Sequence, residues 1–222
     1  MAEGSKPRLA KRRLVGGDGE PLVFCADEQS VVDVDLARWQ RLAERCLHTL
    51  GVRGLAELSV MYVGIAEITE LNEEYLDGTG PTDVLSFPID VDSHLDEVSA
   101  IEVVADARGP SRAPDRAPAD IDDMPLMLGD IVICPEVAAA QAASHAGTVD
   151  DEFALLLVHG ILHVLGHDHG DVDEAQRMRV LERELLEAHH WQGPAPEGFR
   201  HTHPDDPDSA EPDPAAPVEP TP

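Results

Sequence analysis

Cysteine is scarce, basic residues are heavily outnumbered, and long apolar runs are missing from this 222-residue chain. The three cysteines, Cys25, Cys46 and Cys134, are odd in number, far apart and never in a C-x-x-C pair. That excludes a disulfide framework and a thiolate zinc site, and leaves buried free thiols as the expectation. Lys and Arg total 16 against 44 Asp and Glu, a formal net charge of −28. A body this acidic is not a general binder of phosphate backbones, whose affinity comes from Lys and Arg neutralising phosphates. Any nucleic-acid contact must rest on a local basic surface or on a partner. No apolar run reaches the roughly 18 residues a membrane helix needs. The basic start (Lys6, Arg8, Lys11, Arg12, Arg13) leads into Gly16, Gly17 and Asp18 without an apolar segment, against a secretory signal. A cytoplasmic protein with no membrane association is expected.

What is present divides into one domain with irregular ends. Residues 1–20 lack periodicity and read as a disordered basic extension, and 21–193 as the folded domain. Residues 194–222, rich in Pro, Asp, Glu and Ala, read as a disordered acidic tail. A stretch at about 92–127, containing DARGPSRAPDRAPADIDD, reads as an acidic loop inserted in the domain. Within the domain, Leu22 to Cys25, Leu58 to Ile65, Asp83 to Ile89 and Leu128 to Cys134 have strand character. Helical spacing covers Leu36 to Leu50 with Asp35 as N-cap, Ile68 to Tyr75, Pro135 to about His145, Val149 to Leu165, and Asp173 to His190. The fold class predicted is α+β: a small mixed four-stranded sheet packed on four or five helices.

Chemistry concentrates in HGILHVLGHDH, residues 159–169. His159 and His163, four apart on a helix, project from one face within reach of one ion. Gly166 can end the helix in a left-handed conformation and turn the chain so that His169 approaches the same point. Three imidazoles suit one Zn²⁺ and leave a fourth position for water, the arrangement of a catalytic, zincin-like metal helix. The spacing H-x-x-x-H-x-x-G-x-x-H is that of the metzincin proteases, yet Gly160 stands where their glutamate base would be, so the peptidase reading loses its base. Asp168 can accept a proton from a ligand imidazole or serve as base; Asp130, an acid within the apolar LGDIVI, and Ser86 in LSFP are further site candidates. His167 is a weaker one.

Three blocks in order, LNEEYLDGTGPTDVLSFPID (71–90), LGDIVICPE (128–136) and HGILHVLGHDH (159–169), make the chain resemble the bacterial rRNA maturation factor YbeY family of metal-dependent endoribonucleases over roughly residues 30–190. The resemblance implies zinc on His159, His163 and His169, and single-strand-selective cleavage in 16S rRNA 3′-end maturation and ribosome quality control. RNA and the small ribosomal subunit or its proteins are then the partners. Two positions depart from the family pattern: Leu76 where many members carry arginine, which removes a charged phosphate contact, and His167 where many carry tyrosine. In the mechanism implied, the metal acts as Lewis acid on a phosphodiester, attacked by hydroxide or by the RNA 2′-OH. Two alternatives stay open at this level: a noncatalytic zinc-containing ribosome-assembly factor, and another zinc hydrolase such as a metalloprotease.

Overall fold

The computed structural model of the chain describes residues 20–76, 78–89, 125–167 and 171–201. Among these, four strands and five helices follow in the order β1 (Leu22–Asp27), α1 (Leu36–Thr49), β2 (Ala56–Tyr62), α2 (Ile65–Tyr75), β3 (Val84–Pro88), β4 (Leu126–Ile133), α3 (Pro135–Gln141), α4 (Val149–Val164) and α5 (Val172–His189). The strands form one mixed sheet of order β1-β2-β4-β3, with the first three parallel and β3 antiparallel to β4. This is the α+β fold the sequence predicts.

Period-2 alternation explains the sheet. Ala56, Leu58, Val60 and Tyr62 of β2 bury one face together with Ile131 and Ile133 of β4 and Val84 of β3, and this face receives α1 and α4. The opposite face holds Leu85 and Val132, which pack with Ile68 of α2 in a smaller cluster. Helix α4 is apolar around nearly its whole circumference, and its central residues are all buried, so it forms the middle of the core rather than one wall of it. Each long helix is opened by a side-chain cap. Asp35 accepts from Arg38 N at 3.0 Å, Thr148 from Asp151 N at 3.1 Å, and Asp171 from Glu174 N at 2.8 Å.

Several boundaries differ from the sequence expectation. Ile65 opens α2 instead of closing β2, because the Gly64 N–H donates to the Glu67 carboxylate at 3.1 Å and starts the turn there. Strand β4 begins at Leu126, whose N–H donates to Leu55 O at 2.7 Å. Its register against β2 slips at Gly129. That glycine has φ +146°, and a Cβ on it would stand 2.3 Å from Phe87 O, so no other residue fits. Residues 194–201, assigned by composition to the tail, are described and fold back: Phe199 packs on Trp191 with centroids 4.8 Å apart, and Arg200 N donates to His145 O at 3.1 Å. The expected basic extension (1–19), most of the acidic insert (90–124) and the tail beyond 201 lie outside the described residues.

Of the three acids that open α4, Asp150 is exposed while Asp151 and Glu152 are buried. Asp151 accepts from Thr148 Oγ1 at 2.6 Å, Trp191 Nε1 at 2.6 Å and His190 Nε2 at 2.9 Å. Burial pushes its carboxyl up, but the hydroxyl, indole and imidazole donors outweigh burial and hold it below the usual aspartate range. Since the folded pKa is the lower one, this stabilisation is complete above the unfolded value and vanishes as pH falls through the folded one. Asp151→Asn is expected to cost about 1–3 kcal/mol at neutral pH. In urea titrations from pH 7 to pH 2 its deficit should shrink toward zero in strong acid; a deficit constant with pH would contradict this assignment.

Burial also accounts for the cysteines. All three are free; Cys46 and Cys134 are fully buried, and burial pushes the Cys25 and Cys46 thiols up to about 11 and about 12. They are packing residues, as the sequence predicts.

Candidate metal centre

Two of the three predicted imidazoles meet at the C-terminal end of α4. Their Nε2 atoms are 3.0 Å apart and their rings stand at 81°. Two nitrogens each about 2.0–2.1 Å from a tetrahedral ion would be about 3.3 Å apart, so the pair is close to the spacing a shared cation requires. His159 is buried and His163 half-buried, which places the meeting point at the edge of the core.

The helix ends where the sequence predicts. Gly166 has φ +84°, its N–H donates to His163 O at 2.9 Å, and the His167 N–H reaches back to Leu162 O at 2.9 Å. These paired bonds turn the chain sharply after the helical turn that carries His163. His167 is exposed. Asp168 and His169 lie outside the described residues, and among the described residues no three His, Cys, Asp or Glu side chains gather as a metal-binding group.

Sequence reasoning missed the carboxylate behind the pair. Glu182 of α5, 3% exposed, accepts from His159 Nδ1 at 2.7 Å. A carboxylate only accepts, so Nδ1 carries the proton and the Nε2 lone pair is directed at His163. This is the tautomer and orientation a metal-ligating histidine needs. Burial raises the Glu182 carboxyl, while the hydrogen bonds from His159 and His201 more than offset it and bring it down to about 2. The available signal was positional: Ala175, Met178, Glu182 and Leu185 share the buried face of α5, and a charged residue there needs a partner.

The other predicted site residues separate. Ser86 pairs with Ile131 on the face that receives α4, where a Cβ on Gly160 would come within 2.8 Å of Ile131 Cγ2. Asp130 pairs with Phe87 and shares the pleat of Val132, on the face covered by α2. The sheet therefore stands between Asp130 and the imidazoles, a correction to its grouping with them; strand parity shows that 130 and 131 face oppositely, but not which side α4 takes. Asp83, just before β3, is 1% exposed and structural: it accepts from Val84 N at 2.8 Å and from Gln141 Nε2, whose amide also donates to buried Glu152 at 3.0 Å. Leu76 is exposed at the end of α2.

With this geometry in view, comparison with known proteins is direct. The family model described as Endoribonuclease YbeY matches residues 24–190. Proteins named Endoribonuclease YbeY from Salinispora tropica and Beutenbergia cavernae are each 42% identical over 158 residues, covering 71% of this chain and 90% and 91% of theirs. One from Mycobacterium bovis is 37% identical over 180 residues, covering 81% of this chain and 89% of its own. Among solved structures, the solution structure of TM1509 from Thermotoga maritima aligns with a TM-score of 0.42 at 20% identity, covering 77% of this chain and 92% of that one. The chain is thus a hydrolytic enzyme of the nuclease class. It belongs to the endoribonuclease YbeY family. No helix among the described residues is long and apolar enough to cross a membrane.

Proposed function

We propose that this protein is a metal-dependent endoribonuclease that cuts single-stranded RNA in 16S rRNA 3′-end maturation and ribosome quality control, using one zinc ion held by His159, His163 and His169. The observation that carries the reading is the convergence of His159 and His163 through Nε2, with Nδ1 of His159 engaged by a buried carboxylate. Zinc is the cation these donors favour, neutral imidazole being its preferred nitrogen ligand. When bound, the ion supplies Lewis acidity toward a phosphodiester oxygen and lowers the pKa of a coordinated water.

The chain's own residues do the rest. Glu182 fixes the His159 tautomer, Gly166 turns the backbone toward 169, and α4 seats the imidazoles at the core's edge so that one side of the site is dry. Asp168 is the proton acceptor in this reading, and Ser86, on the sheet face under α4, is the candidate substrate contact. The catalytic domain is taken as 21–193, located in the cytoplasm, with the small ribosomal subunit or its proteins as partners. The net charge of −28 means that RNA is gripped locally rather than by a broad cationic surface.

The test is to incubate purified protein with single-stranded and duplex RNA before and after a zinc chelator, and after zinc is returned. Cleavage of the single strand alone, abolished by chelation and restored by zinc, is expected. Undiminished cleavage by metal-free protein would overturn the reading. The product ends then identify the nucleophile, a 2′,3′-cyclic phosphate meaning the 2′-OH and a 5′-phosphate meaning water.

A further inference from the structure

The family match ends at residue 190, but the described residues continue to 201. Gln192, with φ +54°, and Gly198, with φ +101°, let residues 191–201 double back. Three anchors hold this return. Trp191 Nε1 donates to Asp151 Oδ1 at 2.6 Å, Ala195 N donates to Glu187 Oε1 at 3.3 Å, and Arg200 N donates to His145 O at 3.1 Å. At its end, His201 Nε2 donates to Oε2 of Glu182, the oxygen that His159 leaves unused. One buried carboxylate is thus held at both oxygens by two imidazole N–H groups, one from the metal helix and one from the returning segment. A carboxylate held at a single oxygen can still pivot about its terminal torsion, which is broad and soft. Held at both, it presents Oε1 to His159 in one orientation.

We infer that His201 is a positioning residue of the metal centre: by clamping Oε2 of Glu182 it fixes the carboxylate that orients His159, so a segment beyond the family domain sets how tightly the site holds its cation. The inference rests on the metal reading above. Its effect passes through Glu182, and His201 itself touches neither cation nor RNA.

The test uses the full chain. Zinc affinity is measured by competition with a chromophoric chelator for wild type, His201→Ala and His201→Gln. The His159 ring tautomer is read in the metal-free proteins from imidazole ¹⁵N shifts, and thermal melting is followed in parallel. Loss of an outer partner of a ligand histidine typically weakens metal binding about 10–100-fold, and the lower end is expected for His201→Ala, together with mixing of the His159 tautomers. His201→Gln, whose amide can still donate, should recover most of the affinity. A purely structural role would lower melting temperature without moving tautomer or affinity. Equal zinc affinity and an unmixed tautomer in His201→Ala would overturn the inference while leaving the metal reading intact; absence of zinc binding by wild type would overturn both. If the alanine variant does not fold, the wild-type spectrum decides: a protected Nε2–H on His201 supports the clamp, and a freely exchanging one refutes it.

Discussion

His163→Ala protein is expected to purify folded, without stoichiometric zinc, and without RNA cleavage above background. The imidazole is half-buried at the end of α4, so its removal opens little cavity, whereas the site proposed above would lose one of its three protein ligands. The drop in zinc affinity should therefore exceed the roughly 10–100-fold that follows when only a partner behind a ligand is removed. His159→Ala should match it in metal and activity but melt lower. It leaves the buried Glu182 carboxylate without one of its donors, a loss of about 1–3 kcal/mol. Metal analysis, cleavage assays and melting curves on both variants check these outcomes. Full metal occupancy in His163→Ala would remove the imidazole pair from the site.

Gly160→Glu, which restores the protease-like H-E-x-x-H spelling, is expected to yield misfolded or insoluble protein with no peptidase activity. The position faces the sheet, not the site. A Cβ there would lie 2.8, 3.1 and 3.2 Å from three side-chain carbons of Ile131, itself fully buried. Ile131 branches at Cβ and cannot swing clear. Even Gly160→Ala should lose stability: overpacking costs about 1–3 kcal/mol, and the helix propensity of alanine returns at most about 1 kcal/mol. Each net kcal/mol lowers Tm by about 2–4 °C in a protein of this size. Glutamate adds the penalty of a buried charge with no partner, enough to unfold a marginally stable domain. Wild-type melting of Gly160→Ala would show that the contact with Ile131 is slack.

That glycine illustrates how far the chain could be read without coordinates. Its meaning in the sequence was negative, the absence of a base, and only packing reveals that α4 needs to approach β4 closely there. The approach of His159 to His163, the Gly166 turn and the element order were legible because helix and strand periods act over neighbouring residues. Asp130 was misplaced for lack of one fact that no local pattern carries, the side of the sheet on which α4 lies. Glu182 sits among Glu184 and Glu187 in a strongly charged helix, where one more acid looks solvated until its helical face is compared with Met178 and Leu185. His201 was hidden by composition, since the Pro and acid content that follows it also describes the short ordered return preceding it. Asp168 and His169 stand on spacing alone.

Strands β3 and β4 pair directly although the chain between them runs from 89 to 125, far too long to act as a hairpin turn. Alignment of the two must then come from within the ladder. Phe87 O fills the space at Gly129 that any side chain would need, and sliding by one residue would present a Cβ to that carbonyl while turning Val84 and Leu85 to the wrong faces. A lock of this kind holds whatever the number of residues between the strands, since closing a longer connection costs only about 0.6 kcal/mol per doubling. Insertions or deletions in that connection should accordingly leave α4 in its seat against the sheet.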